Sequence, residues 1–124
     1  MIFRTKTSKE TMEIFDRFNQ REHLQPFALA KLCISLSIKN NYKYDENKLK
    51  DSLGVDLNRQ TITGDYDLLF KTLIEMNEGK YLEDKLYFPN VIKAYIDNGA
   101  ILLEQEYKYA TDFYTHLVEL DKSL

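Results

Sequence analysis

Tryptophan is absent from the 124 residues, and cysteine occurs once, at Cys33. One thiol excludes an intramolecular disulfide, and its spacing from His23 and His116 fits no zinc site. There are two prolines, Pro26 and Pro89, and four glycines, Gly54, Gly64, Gly79 and Gly99. Glycines so scattered cannot build a local phosphate cradle, and neither G-x-x-x-x-G-K-[ST] nor G-x-G-x-x-G occurs. No apolar run approaches the ~20 residues of a membrane span. No apolar h-region marks a secretory signal, and repeats and low-complexity linkers are missing. These absences point to a reducing interior, the cytoplasm, with no membrane, metal or cofactor expected.

What is present describes a folded domain. The chain is 44% hydrophobic, 13% aromatic and 30% charged, an ordinary soluble composition. Its length predicts one domain over 1–124 with its own core, read as parts 1–40, 44–104 and 105–124. The net charge of −3 is unevenly placed. Residues 1–43 hold 8 Lys/Arg and 4 Asp/Glu, net +4, and residues 44–124 hold 9 and 16, net −7. A basic end in an acidic chain suggests a polyanion partner; the alternative is solvated surface alone.

Local patterning predicts a mostly α fold with a minor strand. Residues 2–6 (IFRTK) alternate as a short strand, with Arg4 and Lys6 on one face and Phe3 and Thr5 on the other. Thr7-Ser8-Lys9-Glu10 reads as a capping box in which Thr7 is the cap. A helix over about 8–21 follows, with Met12, Phe15 and Phe18 inward. Pro26 starts a second helix to about Lys39, apolar nearly all round and so expected to be buried nearly all round. Strand, helix, turn, helix is the ribbon-helix-helix order, in which two chains pair their strands and polar strand side chains enter a DNA groove. The alternative is an edge strand blunted by charge. Further helices are predicted at about 46–53, 65–78, 89–104 and 106–121, with QTIT at 60–63 a β-branched stretch. Leu69, Phe70, Leu73 and Met76 are expected to face inward, Gly79 to stop the second of these helices, and Gly99 to bend the next or admit close packing. The last is expected to bury Ala110, Phe113, Leu117 and Leu120.

Four segments carry a resemblance: FRTKTSKE at the start, LAKLCISLSI, TITGDYDLLFKTLI and VIKAYIDNGAILL. In order and spacing, residues 3–104 resemble the DndE family of the DNA phosphorothioation (sulfur modification) system. The resemblance implies a helical fold with a ribbon-helix-helix-like part, homo-oligomers (dimer or tetramer), and binding of duplex or nicked DNA beside other proteins of that system. Some such proteins are described as nicking DNA. Two departures stand out. Asn98 replaces a usually basic residue before Gly99, and the tail from about Glu104 is longer than the family core.

The candidate DNA-binding residues are Arg4, Lys6, Lys9, Arg17 and Arg21, with Lys31, Lys39 and Lys43 as weaker members. Cations here neutralise phosphates and position the backbone without reading bases. The hydroxyls of Thr5, Thr7 and Ser8 and the first amides of the helix that follows are candidate phosphate donors. Tyr42 and Tyr44, beside Lys43, are candidate stacking residues, whereas Tyr66 and Tyr95 have core spacing. A metal-dependent nicking enzyme would need clustered carboxylates. Asp65 and Asp67, with Glu83-x-Lys85, give only a chance-level match, and acids in a helix first turn already have a dipole to answer. No catalytic residue is assigned. A third class is an adaptor whose acidic half docks a basic protein.

Overall fold

The computed structural model describes residues 3–123, except for the side chains at 113, 114, 116, 117 and 120–123. Strand β1 (Arg4–Lys6) pairs antiparallel with β2 (Asp56–Asn58), placing Arg4 opposite Asn58, Thr5 opposite Leu57 and Lys6 opposite Asp56. The expected order of strand, then α1 (Lys9–Glu22), then α2 (Pro26–Lys39), is present. The pairing strand, however, comes from the same chain. Backbone bonds extend the ribbon beyond both ends, Arg59 N–H to Phe3 at 2.7 Å and Thr7 N–H to Val55 at 2.9 Å. Gly54 donates to the Thr7 carbonyl, and a Cβ there would lie 2.1 Å from the Ser8 oxygen, so only glycine fits.

Ser8, not Thr7, caps α1: its Oγ accepts from the Thr11 amide at 3.1 Å. The strand pairing explains the shift, because Thr7 Oγ1 already accepts from the Val55 amide and donates to the Ser8 carbonyl. Glu10 faces out to Lys50 and makes no capping box. Thr11, Ile14, Phe15 and Phe18 are the buried stripe. Helix α2 buries Leu29, Ala30, Cys33, Ile34 and Ser37, mainly against α6, but Phe27 and Leu32 stay exposed, so it is not covered all round.

The second half departs more from expectation. The predicted 46–53 helix is one 3-10 turn, Glu46–Lys48, capped by Asp45. QTIT lies in α3 (Arg59–Ile62) and its end, a single turn capped by Asn58. Helix α4 (Asp67–Glu78) ends at Gly79 in the left-handed conformation, as predicted. Of the residues expected inward, only Phe70 packs against the core, half-buried beside buried Ile74, while Leu69, Leu73 and Met76 are exposed. A short turn, α5 (Asp84–Leu86), leads through residues 87–91 into α6 (Ile92–Ser123). Pro89 therefore sits in the approach to α6, and the two predicted C-terminal helices are one. Residues 92–97, 99 and 100 are all buried. At Gly99 the close packing is real, since a Cβ would lie 1.9 Å from the Cys33 oxygen of α2. Ala110 is exposed, contrary to expectation, and the side chains of Phe113, Leu117 and Leu120 lie outside the described residues.

Two buried ionic centres tie these elements together. Asp97 on α6 accepts from Ser8 N at 3.0 Å, Thr11 Oγ1 at 2.7 Å and Lys93 Nζ at 2.7 Å. Arg59 donates to Asp67 and Asp84, each through two bonds of 2.7–3.2 Å, and its guanidinium lies over the Tyr87 and Phe88 rings.

Candidate nucleic-acid interface

The ribbon separates the N-terminal residues by face. Thr5 is buried, its hydroxyl donating to the Pro89 carbonyl at 3.2 Å, and Arg4 and Lys6 point outward. Asp56 shares their face and pairs with Arg4 at 3.4 Å. Lys9 is exposed at the start of α1. Among the described residues, Lys6, Lys9 and Lys39 form no ion pair.

Further along α1, Arg17 pairs with Glu104, and Arg21 lies 5.8 Å from the centre of the Tyr107 ring. With Lys108 and Asp112 of α6, these residues line a groove of about 320 Å³. Lys108 is a cation that sequence reasoning missed, because it lies in the acidic half and only the fold of α6 against α1 brings it here. Arg17 lies eight residues beyond Lys9, about 12 Å along the helix. The five leading candidates thus occupy the ribbon and one helix. Lys31, above the Phe27 ring, and exposed Lys39 lie on α2. Lys43 is committed elsewhere: its ammonium donates to the Asn77 carbonyl near the end of α4, where a cation answers the helix dipole.

Several expected phosphate donors are used internally. Thr7 and Ser8 are buried with their hydroxyls bonded within the chain. The amides opening α1 already hold carboxylates, Ser8 N–H on Asp97 and Lys9 N–H on Asp51 at 2.9 Å. Two amide bonds, from Lys9 and Leu53, hold the Asp51 carboxyl below its usual range. Acids of the second half therefore occupy the anion site that the helix start offers.

The remaining candidates are also placed. Tyr42 packs edge-on against Tyr95 at 5.1 Å and is half-buried, as is Tyr44, so neither offers an open stacking face. Tyr95 is in the core as expected, but Tyr66 is exposed. Asn98 is half-buried and turned to α2, donating to Ser37 Oγ at 3.1 Å. Cys33 is fully buried, and burial, with Asp97 nearby, pushes its thiol well above the usual range, an inert setting. Asp67 is bound by Arg59 and Thr63. Among the described residues, no three His, Cys, Asp or Glu side chains are grouped to hold a metal ion, and no helix is long and apolar enough to cross a membrane.

A family model for the DNA sulphur modification protein DndE matches residues 4–111. The chain belongs to the DndE family. It is thereby a DndE protein of the DNA phosphorothioation system. The fold is that of solved DndE structures. DndE from Escherichia coli B7A, involved in DNA phosphorothioation modification, superposes with a TM-score of 0.68 at 19% identity, covering 83% of this chain and 97% of that one. A DndE mutant, likewise involved in DNA phosphorothioation, gives 0.63 at 20% identity, covering 85% and 99%. Curated protein sequences give no match. The longer tail is visible here, since the DndE match stops at residue 111 while α6 runs to Ser123.

Proposed function

We propose that this DndE protein is a DNA-binding accessory of the phosphorothioation system. It acts in the cytoplasm beside the other proteins of that system and binds duplex or nicked DNA through phosphates. The observation that carries the reading is the ribbon: burial of Thr5 turns Arg4 and Lys6 outward together. Lys9, Arg17 and Arg21 continue the surface along α1, with Lys31 and Lys39 as outlying members. Lys43 is left to its structural bond. Cations of this kind on an outer surface neutralise phosphates and position the backbone. A preference for a nick would come from the ease of bending DNA at the break. Asp56 and Glu104 stand among the cations, so one copy carries little net positive charge on this face. A homo-oligomer would multiply the attraction.

Fluorescence anisotropy with intact and nicked duplexes at two salt concentrations tests the reading. Binding weakens as salt rises. In Arg4→Ala/Lys6→Ala the slope of log K against log salt is shallower by about 1–2, one unit for each phosphate no longer neutralised. Absence of binding to both duplexes at low salt overturns the proposal for the isolated protein.

A further inference from the structure

A pocket of about 200 Å³ opens at the end of the ribbon, lined by Phe3, Arg59, Gln60, Gly64 and Asp67. Its lip is aromatic. The Phe3 ring is 56% exposed, and its backbone is fixed, because the Phe3 carbonyl accepts from Arg59 N–H at 2.7 Å. One wall is bare: Gly64 takes a φ of +50°, and a Cβ there would meet only Gln60 Nε2, at 3.8 Å. The polar side is rigid, since Arg59 is clamped by Asp67 and Asp84 and lies over the Tyr87 and Phe88 rings.

Hydrogen-bonding capacity is left over here. Asp67 Oδ1 accepts from Arg59, Thr63 and Tyr87, but among the described residues Oδ2 accepts from Arg59 alone. The exposed Gln60 side-chain amide makes no hydrogen bond among the described residues. Chemistry then selects the ligand. Arg59 is already balanced by Asp67 and Asp84, so an anion finds no free charge. A purely apolar ligand would cover the Asp67 oxygen and the Gln60 amide and leave them unpaired. A flat ring with N–H groups on its edge meets both demands, its face on Phe3 and its edge on Asp67 and Gln60. The volume lies below the ~300–1,000 Å³ of pockets for drug-sized ligands, so it suits a single ring system.

Position supplies the source of such a ring. Arg4 follows Phe3 directly, ~3.3 Å further along an extended chain, and stands on the outer face of the ribbon. A nucleotide whose phosphate rests on Arg4 can turn its base past the end of the ribbon. On the DNA-binding reading of the ribbon, on which this rests, we infer that the pocket receives one unpaired nucleobase of the bound DNA, stacked on Phe3 and hydrogen-bonded by Gln60 and Asp67. Stacking on Phe3 is open to every base, because each has a π face. Asp67 Oδ2 asks for a donor, so bases with an exocyclic amino group fit best.

Fluorescence anisotropy of the full-length chain with two duplexes tests this. One duplex carries a single unpaired adenine. The other carries an abasic sugar in its place, with the same phosphates and the same charge. The wild type should bind the adenine duplex at least ~5-fold more tightly, the low end of what one base stacked on an aromatic ring contributes. Phe3→Ala brings that ratio toward one, Gln60→Ala lowers it, and both leave the abasic affinity unchanged. Phe3→Tyr keeps the ratio and Phe3→Leu loses it, since leucine has bulk without a stacking face. Both positions are exposed, and circular dichroism checks that each variant is folded. Equal wild-type affinity for the two duplexes overturns the base pocket and leaves phosphate binding standing. A ratio that persists in Phe3→Ala and Gln60→Ala also overturns it, because the base is then held elsewhere. Binding to neither duplex at low salt overturns the base pocket together with the DNA-binding reading.

Discussion

Arg59 has only 8% of its surface in water, so its charge must be answered within the protein. Asp84 and Asp67 answer it, and their hydrogen bonds hold the guanidinium further above its ordinary range despite burial. The effect returns on the acids. The bonds from Arg59 lower Asp84; for Asp67, burial pulls upward but is outweighed by the bonds from Arg59 and Thr63. Carboxyls depressed in the folded state add stability that is complete above their unfolded value of about 4, and that is lost as pH falls through the lower folded values. Urea denaturation at neutral pH and near pH 3 should therefore show a smaller acid loss in Arg59→Gln than in the wild type, from a lower starting point at neutral pH. An equal acid loss in both would place the acid sensitivity elsewhere. This cluster was not legible in the sequence. Arg59 reads as one more surface cation, and nothing local shows that residues 8 and 25 positions away will converge on it.

At the scale of elements, legibility follows locality. The bounds of α1 and α2 could be read within a residue or so, because capping hydroxyls, Pro26 and apolar spacing act within a few residues. The stop of α4 at Gly79 was legible for the same reason. The faces of α4 were not. Leu69, Leu73 and Met76 form the stripe that usually marks a core, and Ile74 with Phe70 wins the interior instead. Nor could β2 be read, since Asp-Leu-Asn has little strand character and is held by its pairing with β1. Gly99 was legible as a choice between bending and packing, and the approach of α2 to α6 decides for packing. Gly99→Ala puts a methyl against the Cys33 carbonyl, which is backbone and cannot swing aside. The expected cost is about 1–3 kcal/mol, the range for overpacked sites. It is read as a lower denaturation midpoint, and an unchanged midpoint would mean that the helices can separate freely.

Across the whole molecule, the charge asymmetry of the sequence does not survive folding as two poles. Asp51, Asp56, Asp97 and Glu104 all come from the acidic part and all lie against the basic one. Asp51 and Asp97 fill amide sites on α1, whereas Asp56 and Glu104 oppose Arg4 and Arg17 at the surface. The surface pair sets how strongly one copy attracts phosphate. Asp56→Asn/Glu104→Gln removes two negative charges without altering size. DNA affinity should rise and its salt slope steepen toward what the uncovered cations allow. Anisotropy in the same salt series reads this, and unchanged binding would take the ribbon and α1 out of the DNA-binding face. The anchoring of the N-terminal segment also has a consequence for synthesis. Thr5, Ser8 and Thr11 find their partners at Pro89 and Asp97, and β1 finds its strand at residues 56–58. These residues are therefore synthesised before the partners that fix them, and are among the last to acquire their shape. A nascent or prematurely ended chain that stops short of α6 carries every one of the leading basic residues but lacks the Asp97 bonds to Ser8 and Thr11 and the Glu104 partner of Arg17.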